Sequence, residues 1–260
     1  MLKYNEFINE NKMWFKTIPQ FLSWLEEKSN NDWIWLDTET TGLRGPKHEQ
    51  LTQIAAIATT YNFSHNEFTD LGSYDVKIEL TPDTLTQMKD PTSRIKWVLS
   101  FNHYGKSGIK YHDEAETLQE FHEWVKQWNN PLLVIQNAQF DMNMINVRNT
   151  IVKFKNEVFD TKMMLQLYYL PLLQTLSETN DEYKKLVNKI GTSDRDNGLI
   201  SSSMSKVGPA LGVDMTNYHD ALTDCRLAMD MTKRVIQFLK DNQHVDIMKY
   251  QIQRIKLSNN

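Results

Sequence analysis

Cysteine is nearly absent from this chain. Cys225 stands alone among 260 residues, so no internal disulfide forms and nothing in the fold calls for an oxidising compartment. Glycine (9) and proline (7) are sparse, which excludes a collagen-like, linker-like or low-complexity chain. No apolar run approaches the roughly 20 residues that span a bilayer. The N-terminal stretch MLKYNEFINENKMWF is polar and mixed in charge, with no apolar h-region and no small-residue cleavage site. A cytoplasmic protein with no membrane association is the expectation. A positive excess is also missing, since the net charge is −4. That argues against a protein that coats polyanions generally. It leaves room for a nucleic-acid enzyme, because a carboxylate-rich metal site itself makes the balance negative while basic residues cluster locally.

What is present is a globular balance, 40% hydrophobic and 24% charged, enough for a sizeable core in one large or two small domains. Pro19, just after Thr17, opens a helix over 18–28. WIWLD (33–37) is a short apolar run of the buried-strand kind. The glycine-containing turn TETTGLRGPKHEQ links it to a second apolar run, 51–61, expected to pair antiparallel with the first. Residues 68–80 alternate as a third strand, and 81–112 reads as irregular around Pro82, Pro91, Gly105 and Gly108. Asp113 and Glu116 form a capping-box start for an amphipathic helix over 114–128. LLVIQ (132–136) is a buried strand, followed by a helix over 141–149. A short strand ends at Asp160, which caps a helix that stops before Pro171. A surface helix near 180–190 and a mobile polar loop at 191–200 follow. MSKVGPALGV resumes a helical pattern, and a long helix begins near Asp220. The pattern predicts an α/β fold with a mixed sheet. Its divisions are an N-terminal helical extension (1–30), a main domain (31–241) carrying a polar insertion at about 174–206, and a C-terminal tail (242–260). The tail is locally basic and expected to be a solvated terminus.

Three segments carry chemistry. In Asp37-Thr38-Glu39, at the end of an apolar strand, both acids leave the sheet on one face. Asp141 lies just past another buried strand, where taken alone it reads as a helix cap. His219 precedes a helix whose first turns carry Asp224; alone, the histidine is equally a capping residue and Asp224 an exposed helix acid. Together these readings weaken, because open α/β sheets place their sites outside the carboxyl ends of the strands. Four carboxylates converging there repel one another unless cations neutralise them. Oxygen ligands select Mg²⁺ or Mn²⁺, and two such ions form a clamp for phosphoryl displacement. A neighbouring histidine has a pKa suited to deprotonating the attacking water.

The set WLDTETTGL, VIQNAQFD and YHDALTD resembles the DEDDh branch of the DnaQ-like 3′–5′ exonucleases. The first motif, D-x-E-T-T-G, is matched by Asp37, Glu39, Thr40, Thr41 and Gly42. The second, H-N-A-x-F-D, is matched by Asn137, Ala138, Phe140 and Asp141, with Gln136 in place of the histidine. The third, H-x-A-x-x-D, is matched by His219, Ala221 and Asp224, and FDTKMMLQLYYLP is a softer fourth similarity. The resemblance spans roughly residues 33–240 and implies an RNase H-like mixed sheet with helices on both faces. It implies that Asp37 bridges two Mg²⁺ or Mn²⁺ ions, that Glu39 and Asp224 complete the first site and Asp141 holds the second, and that His219 is the general base. Leu43 resembles a wedge against the terminal base, with Thr40 close to the terminal nucleotide. Of the two remaining candidates for substrate contact, Phe140 reads rather as core beneath the site and Asn137 as ordering the turn. The implied activity is a 3′–5′ exonuclease on single-stranded DNA or a frayed 3′ end. An exoribonuclease or oligoribonuclease is the alternative within the class, with RNA as partner, and a non-catalytic nucleic-acid-binding module the alternative outside it. A replication protein partner is left open.

Overall fold

The structure is a computed structural model that describes residues 15–90, 92–102, 104–105, 108–148, 153–216 and 218–258. Residues 1–14 of the expected N-terminal extension, and residue 149 at the expected end of one helix, lie outside the described residues. The strands are β1 (Trp33–Thr40), β2 (Leu51–Asn62), β3 (Glu67–Ile78), β4 (Tyr111–His112), β5 (Leu132–Ile135) and β6 (Val158–Asp160). The helices are α1 (Ile18–Lys28), α2 (Pro82–Gln87), α3 (Ile95–Phe101), α4 (Glu114–Val125), α5 (Ala138–Arg148), α6 (Thr161–Met164), α7 (Leu170–Ser177), α8 (Asp181–Ile190), α9 (Met204–Ala210), α10 (Ala221–Asp241) and α11 (Met248–Ser258). A π-helical turn, Leu165–Tyr169, joins α6 to α7.

The six strands form one sheet in the order β4-β3-β2-β1-β5-β6. β2 is antiparallel to β1 and β3, while β5 runs parallel to both β1 and β6. The alternation of side chains along β1 builds a core on each face. Trp33 and Trp35 enter a cluster with Phe21, Leu25, Tyr168, Met231 and Val235 from α1, the π-helical turn and α10. Ile34 and Leu36 point the other way, into a cluster with Leu118 and Phe121 of α4 and Met144 and Ile145 of α5. The sheet is thus mixed and covered by helices on both faces. Among the described residues, no helix is long and apolar enough to cross a membrane.

Four local expectations change. The stretch 81–112 contains α2, α3 and the two-residue β4. Thr81 accepts the Thr84 N–H and precedes Pro82, a sound helix start, but helices of six and seven residues are too short to show a periodicity. α5 begins at Ala138 rather than 141, because Asp160 on β6 accepts the N–H groups of Asn137 (3.2 Å) and Ala138 (3.0 Å). Asp141 therefore sits inside the first turn and is not its cap. The helix expected to stop before Pro171 continues through it. The wide π-helical turn gives the proline ring room against the preceding carbonyls. Where a solvated terminus was expected, α11 packs on the core. Ile247 and Gln251 are buried, and Gln251 donates to the Phe15 carbonyl at 3.0 Å and to that of Leu167 at 3.2 Å.

The polar segment before α9 closes on itself. A bridge pairs Thr192 with Ile200, and Asp196 accepts from Ser202 N (3.0 Å) and Gln166 Nε2 (3.1 Å).

Candidate active site

The parity of β1 decides where each acid goes. Asp37 and Glu39 continue the Trp33–Trp35 face, against which α10 packs: the Cys225 thiol lies 3.5 Å from both the Trp35 and the Ala55 carbonyl. Thr38 continues the opposite face toward α5, where its backbone N–H and hydroxyl donate to Asp141 Oδ1 at 3.0 and 2.6 Å. The middle residue of the D-x-E triplet therefore orients the third acid.

On the α10 face, ligand atoms of Glu39, His219 and Asp224 all lie within 4.8 Å of one another. Asp220 caps α10 by accepting the Thr223 N–H at 3.3 Å. The residue before it, His219, holds a left-handed backbone (φ 76°), and its N–H donates to Asp224 Oδ1 at 3.3 Å. That conformation is uncommon for a residue with a Cβ. Here it carries the imidazole back over the strand ends. The Tyr218 ring packs on it, with centroids 3.9 Å apart.

Charge is crowded in this volume. Burial, then the neighbouring Asp141, Glu39, Asp224 and Asp220, push the Asp37 carboxyl well above the carboxylate range. Burial pushes Glu39 up to about 8, with Asp224 adding and Lys77 opposing. Burial pushes Asp141 up to about 7 against the two Thr38 hydrogen bonds. Asp224 also reaches about 7, again mainly through burial. Burial and then Asp224, Asp37 and Glu39 raise the Tyr218 phenol to about 12, so its ring faces the same acids. Four carboxylates desolvated together, with an imidazole beside them, are a donor set that a hard divalent cation satisfies through its oxygens. The residues present fit such an ion.

Leu43 projects from the β1–β2 turn with 74% of its surface exposed. On one side lies a hollow of about 530 Å³ lined by Thr41, Arg44, Arg94 and Trp97 among others. On the other lies one of about 220 Å³ lined by Asn137, Phe140 and Asn143. The turn is pinned from below. Buried Glu49 accepts from Thr41 Oγ1 (2.8 Å) and Arg44 Nε (2.6 Å), and its carbonyl accepts from Arg148. A Cβ on Gly42 would sit 2.8 Å from the Glu49 carboxylate, so only glycine fits there without displacing it. Thr40 is buried, and its hydroxyl donates to the Gly42 carbonyl at 2.6 Å. Asn137 holds a left-handed backbone (φ 70°) and accepts from Lys162 Nζ at 3.1 Å. Phe140 is half-buried and packs on the α4–α5 core. Gln136 turns away to accept from the Thr161 hydroxyl at 2.5 Å.

Sequence reasoning missed Thr38, Gln53, Lys77, Glu49 and Tyr218 around this site. The one visible trace was Gln53, a polar residue inside the apolar run of β2.

A family model described as Exonuclease (RNase_T) matches residues 34–232. No curated protein matches the chain. Among solved structures, a zinc-bound form of E. coli ExoI with single-stranded DNA aligns at a TM-score of 0.50 and 17% identity, covering 84% of this chain. A second structure of exonuclease I (TM-score 0.47, 17% identity) covers 81% of this chain and 43% of its own. The cell-death related nuclease CRN-4 (TM-score 0.47, 13% identity) covers 80% and 64%. This chain spans less than half, 42%, of the ExoI chain in the first of these. The extent of the family match, on a mixed sheet with the acids at its strand ends, places this chain in the DnaQ-like exonuclease family.

Proposed function

We propose that this chain is a divalent-cation-dependent 3′–5′ exonuclease that removes nucleoside 5′-monophosphates from single-stranded DNA or a frayed 3′ end. The observation that carries this reading is the convergence of Glu39, His219 and Asp224 within 4.8 Å, beside an Asp141 oriented by Thr38. Asp37, Glu39, Asp141 and Asp224 would hold two Mg²⁺ or Mn²⁺ ions. When bound, such ions neutralise the phosphate and acidify a water molecule. His219 takes the proton from the water that attacks the terminal phosphorus. The bond from phosphorus to the 3′ oxygen breaks as the water oxygen bonds to phosphorus, and the departing oxygen takes a proton from solvent, leaving a 3′-hydroxyl on the shortened strand and the 5′-phosphate on the released nucleotide.

Leu43, between its two hollows, separates the terminal base from the next. Thr40 serves this through the turn it ties, Asn137 and Phe140 as walls of the smaller hollow. Arg44 and Arg94 supply positive charge beside the exposed Trp97, a combination suited to a single strand. The fold shared with an exonuclease I–single-stranded DNA complex supports the same substrate.

The test is a product assay with Mg²⁺ on 5′-labelled linear single-stranded DNA, matched RNA, a 3′-phosphorylated strand and circular single-stranded DNA. The linear DNA should shorten in single-nucleotide steps while the blocked strand and the circle resist. Faster loss of RNA would make the enzyme an exoribonuclease. Cutting of the circle would make it an endonuclease.

A further inference from the structure

A buried lysine stands outside the roles assigned above. Glu39, Gln53 and Lys77 form one cross-strand row over β1, β2 and β3, on the sheet face that α10 covers. The row begins at an acid of the site and ends in an ammonium whose side chain is only 13% exposed. Lys77 Nζ donates to Gln53 Oε1 at 2.5 Å and to Asp220 Oδ2 at 3.1 Å. Gln53, fully buried, uses the same oxygen to accept the Ala221 N–H at 3.2 Å, and its amide donates to Asp75 at 2.7 Å and Asp220 at 3.3 Å. Asp220 is thereby gripped from the sheet by Lys77 and Gln53, and from the helix by Thr223 N. His219 is the next residue back, in its left-handed backbone.

We infer that Lys77 is a positioning residue, which fixes His219 over the site by clamping the Asp220 cap of α10 to the sheet. This rests on the exonuclease reading for its effect on turnover, but not for its effect on the chain. A surface lysine–aspartate pair contributes little. Here the ammonium is withdrawn from water and its acceptors are fixed, so removing it leaves Asp220 and Gln53 short of a partner in a desolvated place. Burial disfavours an ionised Asp220, yet the Lys77 hydrogen bond and charge, together with the hydrogen bonds from Thr223 N–H and Gln53, hold its carboxyl below the ordinary value. The strained φ at His219 persists only if the residues flanking it are held.

The test uses the full chain with Lys77→Met, which keeps the stem and loses the charge. Hydrogen exchange at amides 218–224 should quicken at least tenfold, with exchange along β1 unchanged. Turnover should fall roughly 10–100-fold, the scale of a misplaced catalytic group, while KM for a single-stranded oligonucleotide stays within about twofold. In a His219→Ala background the same substitution should cost less than about twofold, because the group it positions is gone. Asp220→Asn keeps a cap acceptor and should reproduce this pattern if Lys77→Met does not fold. Unchanged exchange at 218–224, or the same loss of turnover in both backgrounds, overturns the inference. A wild-type chain that degrades no nucleic acid overturns the exonuclease reading instead, and the exchange measurement still decides the role of Lys77.

Discussion

At the scale of single residues the site is a balance of desolvated charge. Glu39, Asp141 and Asp224 hold their protons up to about pH 7–8. The folded, metal-free chain therefore binds more protons than the unfolded one between the ordinary carboxylate range and that pH. The stabilisation is complete at low pH and is lost as pH rises through about 7 to 8. Thermal melts in EDTA should accordingly show Tm falling from pH 5 to pH 8.5, and Mg²⁺ should restore more of it the higher the pH; a flat profile contradicts the crowding. Asp37→Asn removes a carboxyl whose ionisation burial and its acidic neighbours oppose, and should raise the metal-free Tm at pH 8 while abolishing turnover. His219→Ala should lower turnover by about 10²–10⁴-fold, the usual worth of a general base, as read in single-turnover assays with saturating Mg²⁺. Asp37 and Glu39 stand out at i and i+2 at the end of an apolar strand, but Asp141 and Asp224 are legible as site acids only when the three segments are read together. Thr38, Glu49 and Lys77 are not legible, because their partners lie 103, 8 and 143 positions away, and single-strand patterning carries no pairing information.

At the scale of elements, legibility followed locality. α1 and the antiparallel β1–β2 pair were readable from a proline after a threonine, two apolar runs and a short glycine-bearing turn. The start of α5 was not, since its cap comes from Asp160 across the sheet. The packing of α11 was hidden as well, because Lys249, Arg254 and Lys256 looked like a solvated tail, while Ile247, Gln251 and Arg254 are buried and Arg254 donates to the Ile200 carbonyl at 3.0 Å. Gln251→Ala removes the amide donor from the Leu167 carbonyl and from the Phe15 carbonyl, which keeps the Tyr168 hydroxyl at 3.4 Å. It should cost about 1–3 kcal/mol in urea unfolding; an unchanged midpoint would mean that α11 is dispensable. The β1–β2 turn gives a second expectation. Glu49→Gln weakens the clamp under Leu43. It should reduce hydrolysis at a paired 3′ end more than at a single-stranded one, as measured on matched oligonucleotides; equal losses would show that the turn acts only on stability.

At the scale of the whole molecule, one sheet with a core on each face delivers side chains from both faces to the same end. Asp37 and Glu39 meet α10 on one side, while Thr38 reaches Asp141 of α5 on the other. The fold class could be read in advance because strands came first and helices then alternated with strands. The depth of the acidic centre could not, because burial is a property of the assembled layers. Under the proposed function these acids act together through divalent cations on a strand's 3′ end. The most direct measurement follows a 5′-labelled single-stranded oligonucleotide with wild-type and Asp37→Asn protein, each with Mg²⁺ and with EDTA, after melts have shown the variant folded. Wild type should give a single-nucleotide ladder with Mg²⁺ alone. Turnover that survives in EDTA, or in folded Asp37→Asn, would contradict it.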